Sequence, residues 1–334
     1  MNFRTRVTLI LITLFLLNSV SYPQDQNWKF FNKENSGLPT NCIRCVVQDK
    51  KGIYWIGTWD NGLVKFDGKN WTVFDTKNSK LPHNSVYCIT FDKKDNLIIG
   101  TFGGGVAKFD GKKKWVIYNT TNSGLPNNWI YSIAVDKKSN LWIGTYSKGL
   151  AIFNGKKWTV YNQFNSKLPA NKVTAIYIDK NDHKIIGTAH EMIFIQGSKW
   201  KTEAEMNIHS NEDAIYWISP FENNKVLMCY KFGSIVIYDG IVFKVYNPSN
   251  SDLPFTGFYS ITSDLKKIVW AGSFTQGVVR FDGEKFMLIN KFNSPLTDNM
   301  IFSIFVDDKN NKWFSTYYGG ISIYNEEGVK LQSK

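Results

Sequence analysis

The stretch LWIGTYSKGLAIFNGKKWTVYN, residues 141–162, decides the fold. LWIGT, GLAIF and WTVYN are rich in the aromatic and β-branched residues that suit strands, and the Y-S-K and N-G-K-K joints between them carry turn residues. The phrase recurs outward in both directions. Aligned on the glycine of I-G-T or its equivalent, the markers fall at Gly57, Gly100, Gly144, Gly187, Cys229, Gly272 and Ser315, 42 to 44 residues apart. A further strand precedes each marker, as in VYCITF (residues 86–91), joined to LIIGT by the turn D-K-K-D-N. Strands A to D therefore make up one repeat of about 43 residues, the signature of a β-propeller blade. Seven repeats predict an all-β, seven-bladed propeller with four antiparallel strands per blade.

The last repeat ends at ISIYN and is followed only by EEGVKLQSK, which holds no aromatic D strand. The stretch NWKFFN, residues 27–32, is a D strand without an A, B or C before it. Together they predict a ring closed by the N-terminal strand, which removes an open sheet edge. The alternative closure uses residues 329–332.

Ahead of this strand, Arg4 and Arg6 precede an apolar run over residues 7–17, and Ser19, Val20 and Ser21 follow it. That pattern predicts a secretory signal peptide over residues 1–21, since the run is too short to span a bilayer. The first cysteine is Cys42, too far away for a lipoprotein anchor. Residues 22–334 are then one propeller domain, periplasmic or secreted, with no transmembrane segment in the mature chain.

The connector and strands GLPNNWIYSIAVDKKSNLWIGT, residues 124–145, resemble the two-component regulator propeller repeat. That family builds seven-bladed propellers in the periplasmic sensor regions of hybrid histidine kinases, chiefly in polysaccharide-degrading bacteria of the Bacteroidetes type. The resemblance implies the fold and a glycan-sensing context, without implying signalling by this chain itself. It weakens in blade 5, where L-M-C-Y replaces W-I-G-T.

Lys plus Arg number 40 against 28 acidic residues, a net charge of +12. Export makes nucleic acid an improbable partner, and the basic excess fits an acidic polysaccharide or surface. Many lysines repeat in the A–B and C–D turns, among them Lys50, Lys51, Lys93, Lys94, Lys112, Lys113, Lys114, Lys137, Lys138, Lys156 and Lys157. They read as a solvated turn face able to touch an acidic surface. Cys45 and Cys88 share one repeat position with Ser132, Ala175, Ser260 and Ser303, where a small buried residue fits better than a disulfide.

The opposite face carries the B–C and D–A loops. Trp59, Phe102, Tyr146, Phe274 and Tyr317 each follow the marker triplet directly, so radial repetition sets them around the channel mouth. Flat rings there either stack on sugars or pack between blades. Departures from the repeat mark the other candidates: His190 and Glu191, His209, Glu212 and Asp213, and Lys231 in blades 4 and 5. Arg44 stands where other A strands hold Tyr87, Tyr131, Thr174, Tyr216, Tyr259 and Phe302, and an arginine on an inner strand calls for an acidic partner or an anionic ligand. No catalytic or metal-ligand motif occurs, and no cofactor is expected. The expected function is non-catalytic binding of an oligosaccharide or protein on the B–C/D–A face. The alternatives are a protein-interaction scaffold and a polysaccharide lyase or hydrolase.

Overall fold

The computed structural model describes residues 25–206 and 214–331; the signal peptide expected over residues 1–21 lies outside them. Seven four-stranded antiparallel sheets form a ring, a seven-bladed β-propeller. Blade 1 comprises strands Ile43–Gln48, Tyr54–Thr58, Leu63–Phe66 and Trp71–Phe74. Blade 4 comprises Val173–Ile178, Lys184–Thr188, Met192–Gln196 and Lys199–Thr202, and blade 5 Ile215–Pro220, Val226–Tyr230, Ile235–Tyr238 and Phe243–Tyr246. The remaining blades follow the same order.

Blade 7 is closed by Trp28–Phe31, which pairs antiparallel with Ile321–Tyr324. The alternative closure near the C-terminus is therefore not the one formed. Val329 and Leu331 pack instead against the core shared by blades 7 and 1.

Two side-chain devices repeat around the ring. An aspartate opens the A–B turn in six blades, and in blade 7 the Oδ1 of Asp307 accepts the N–H groups of Lys309 and Asn311. Where the second B-strand residue is tryptophan, its indole donates to the other carboxylate oxygen of that aspartate: Trp55 to Asp49, Trp142 to Asp136, Trp270 to Asp264 and Trp313 to Asp307, at 2.9 to 3.1 Å. These indoles fill the space toward the next blade, as Trp55 does with Leu97 and Phe109 of blade 2. The D-strand aromatics are structural as well. Trp71 stacks on Phe66 at 4.0 Å and Trp115 on Phe109 at 3.9 Å, so each D strand is clamped to its own C strand.

Every A strand carries a register shift between its first and third residues. Such a bulge re-aims one side chain, here the second residue, toward the ring axis. In blades 1 to 4 and 6 the third residue is small and lies opposite the marker glycine, where a Cβ on Gly100 would meet the Cys88 Sγ at 2.5 Å; blade 7 pairs Ser303 with Ser315, and blade 5 pairs Trp217 with Cys229.

Candidate site at the channel mouth

The seven re-aimed residues, Arg44, Tyr87, Tyr131, Thr174, Tyr216, Tyr259 and Phe302, all line one axial cavity of about 200 Å³. Six of them are uncharged. Arg44 is only 8% exposed, and among the described residues no carboxylate lies within ion-pair distance of it. Its guanidinium carbon sits 3.8 Å from the ring centre of Tyr87, 4.3 Å from Phe302 and 5.3 Å from Trp59. Among the described residues its Nε has no hydrogen-bond acceptor. The acidic partner anticipated from the sequence is thus replaced by three aromatic faces. A desolvated cation–π contact is worth about 2 kcal/mol, while desolvating an ion costs several kcal/mol. Three such contacts approach that cost, but none of them gives the Nε–H an acceptor.

The loop aromatics form a second tier above the first. Trp59 stacks on Phe302 with ring centres 5.9 Å apart, Phe102 on Tyr87 at 5.7 Å and Tyr146 on Tyr131 at 5.8 Å. Phe274 lies 3.8 Å from Tyr259, and Tyr317 5.5 Å from Phe302. Packing and solvent exposure coexist here, since Trp59 and Tyr146 keep more than a third of their surface in water. Three further exposed rings were not singled out in the sequence: Trp129 stacks on Phe102, Phe232 on Phe274, and Tyr318 meets Tyr317 edge-on. Their signal was weak, because the repeat fixes no aromatic at those loop positions.

The collar breaks at blade 4, where Thr174 and Ala189 take the two positions and the Thr174 hydroxyl donates to the carbonyl of Ile215. Lys172 spans the adjoining gap, 5.0 Å from the ring of Tyr131 and 5.4 Å from that of Tyr146. Burial, and then the neighbouring Tyr87 hydroxyl, push the Tyr131 phenol above the ordinary tyrosine range, so this hydroxyl is a neutral donor.

Of the polar sector expected in blades 4 and 5, the described residues include His190, Glu191 and Lys231. His190 and Glu191 are exposed and tied through their backbone N–H groups to the Thr188 hydroxyl. Lys231 lies over Phe232 at 4.4 Å, and neither it nor His190 lines the axial cavity; of the predicted site residues that the structure describes only Arg44 does, since Trp59, Phe102, Tyr146, Phe274 and Tyr317 stand above the collar, outside the cavity lining. His209, Glu212 and Asp213 lie outside the described residues. The turn lysines are exposed. Among the described residues no group of His, Cys, Asp and Glu is arranged to hold a metal ion, and no helix is long and apolar enough to cross a membrane.

A ring of seven sheets around an aromatic-lined axial cavity defines a seven-bladed propeller with a lined central channel. Residues 37–60, 80–103 and 124–147 match the model of the Two component regulator propeller, so the chain carries the repeat of that family in its first three blades. Similar solved structures include the extracellular domain of the one component system BT4673 from B. thetaiotaomicron, with 21% identity and a TM-score of 0.73 over 90% of this chain and 40% of that one. The extracellular domain of the hybrid two component system BT3049 from the same organism is 19% identical, with a TM-score of 0.76 over 90% of this chain and 42% of that one. The chain thus spans about two-fifths of the length of those domains. Virginiamycin B lyase from Staphylococcus aureus shares the fold at 12% identity, with a TM-score of 0.72 over 89% of this chain and 99% of that one. A search of curated proteins finds no match.

Proposed function

We propose that this chain is an exported, non-catalytic binding propeller of the sensor type that takes an acidic oligosaccharide at the channel mouth. The observation that carries the reading is Arg44, a buried cation stacked on three rings, lacking an acceptor for Nε and lining a cavity. A carboxylate or sulfate on a sugar supplies that acceptor, and a charge-assisted hydrogen bond of this kind is stronger than a neutral one. Trp59 and Tyr146 offer exposed faces to the C–H faces of the sugar rings. The likeness to extracellular domains of bacterial regulators supports a sensing context. Against acid–base chemistry, the exposed His190 ring has no carboxylate partner among the described residues. A thermal-shift screen of neutral and acidic oligosaccharides tests the proposal: acidic members raise the melting temperature more than neutral ones of equal length. Stabilisation by neutral sugars alone contradicts it.

A further inference from the structure

A larger cavity, of about 390 Å³, opens between blades 4 and 5 on the turn face, away from the channel mouth. Its origin is one substitution in the repeat. Ile185 occupies the position held by Trp55, Trp142, Trp270 and Trp313 in blades 1, 3, 6 and 7, so the indole that fills the gap toward the next blade is missing. The aspartate that would accept the indole N–H, Asp179, is bonded to the His183 ring at 3.1 Å instead.

The walls suit a flat ring. Tyr177, Ile185, Phe194 and Lys201 are successive cross-strand neighbours on the blade 4 face. Val226 and Tyr238, themselves paired in register, form the blade 5 wall, and Phe194 meets Tyr238 edge-on at 5.5 Å. Lys199 and Lys201 stand exposed at the opening, and neither has an acidic partner among the described residues. Blade 2 supplies an internal contrast. There Ile98 also replaces tryptophan and a smaller cavity of about 240 Å³ results, but Lys108 reaches into it and pairs with Asp92 at 2.6 Å. Phe194 holds the position of Lys108 in blade 4 and makes no such cap.

We propose that the blade 4–5 groove is a second ligand site, for a small aromatic carboxylate with a ring of about indole size. The ring takes the place of the absent tryptophan between Tyr177, Phe194 and Tyr238, and the carboxylate faces Lys199 and Lys201. The volume lies within the range of about 300–1,000 Å³ usual for small-molecule sites. This site is independent of the channel-mouth reading, and Arg44 has no part in it.

Titration of the full chain with indole-3-acetate and with neutral indole, followed by ligand-observed NMR and calorimetry, tests the proposal. Both probes bind the wild type. Lys199→Gln with Lys201→Gln weakens indole-3-acetate by about fivefold and leaves indole unchanged. Ile185→Trp, which restores the indole of the other blades, abolishes binding of both. Phe194→Lys, which copies the cap of blade 2, does the same and serves as the blocking variant where Ile185→Trp does not fold. Failure of indole-3-acetate to bind the wild type at millimolar concentration overturns the proposal. So does binding that survives either folded blocking variant, or a lysine variant with unchanged affinity for indole-3-acetate.

Discussion

Trp28 lies opposite Tyr324 in the sheet, their ring centres 4.8 Å apart, although nearly the whole chain separates them. Through this pair the first strand becomes the outer strand of the last blade, and Phe31 packs between blades 7 and 1 against Trp313, Phe66 and Trp71. Deleting residues 25–32 exposes that core and a sheet edge. The truncated protein is expected to aggregate or to lose most of its cooperative melting transition. A melting curve like that of the intact protein refutes closure by this strand.

Asp307 is the most heavily used of the turn aspartates. Its buried Oδ2 accepts the Tyr54 hydroxyl from blade 1 at 2.8 Å, the Trp313 indole at 2.9 Å and the Asn311 amide at 2.8 Å. Asp307→Ala strands several donors in the interior, each costing about 1–3 kcal/mol. Denaturant unfolding is expected to show a loss of about 3 kcal/mol or more. An effect no larger than that of Asp110→Ala, in an exposed C–D turn, shows that the carboxylate does not bind the blades together.

The C–D turn aspartates titrate low. Backbone N–H donors, from Asn70 first, hold Asp67 at about 2, and donors from Lys285 and Glu284 hold Asp282 at about 2. Both lie below the unfolded value of about 3.9. Their stabilising contribution is complete above that value and disappears as pH falls through about 2. Carboxyl NMR titration is expected to place both midpoints well below 3.9, and midpoints near 4 contradict the turn geometry.

Burial pushes the Cys45 thiol up to about 11, against an opposing effect of Arg44, and raises Cys88 and Cys229 as well. Burial also lifts Cys42 to about 11. A thiolate reagent at pH 8 is therefore expected to modify the native protein slowly and all four cysteines rapidly after denaturation. Fast labelling of Cys45 or Cys229 in the native state contradicts the packing described here.

The architecture was legible because turn chemistry and strand composition recur with a fixed period. VYCITF forms a strand with the very bounds that the pattern implies, and LIIGT forms the strand that follows it. The site was legible only in part. Arg44 stood out as a departure at its repeat position, and the loop aromatics stood out as a recurring type. Their union into two stacked tiers was not readable, because Trp59 of blade 1 rests on Phe302 of blade 7, a contact that exists only once the ring closes. The blade 4–5 groove had a signal that went unread. The K-I-I-G-T of blade 4 lacks the tryptophan of its neighbours, and a missing side chain becomes a cavity only when both facing walls are known. Blade 5 hides a similar loss, Leu227 for tryptophan, because Phe221 replaces the turn aspartate and packs into the core with Leu227.

Arg44 is the proposed anchor of an anionic ligand at the channel mouth. Calorimetry of an acidic oligosaccharide, such as an oligogalacturonate, against the wild type, Arg44→Met and Lys93→Gln with Lys94→Gln tests it most directly. Salt-sensitive binding is expected, falling by about tenfold or more in Arg44→Met and unchanged in the turn-lysine variant. Undiminished affinity in Arg44→Met, loss confined to the turn-lysine variant, or no binding of acidic oligosaccharides by the wild type would contradict it.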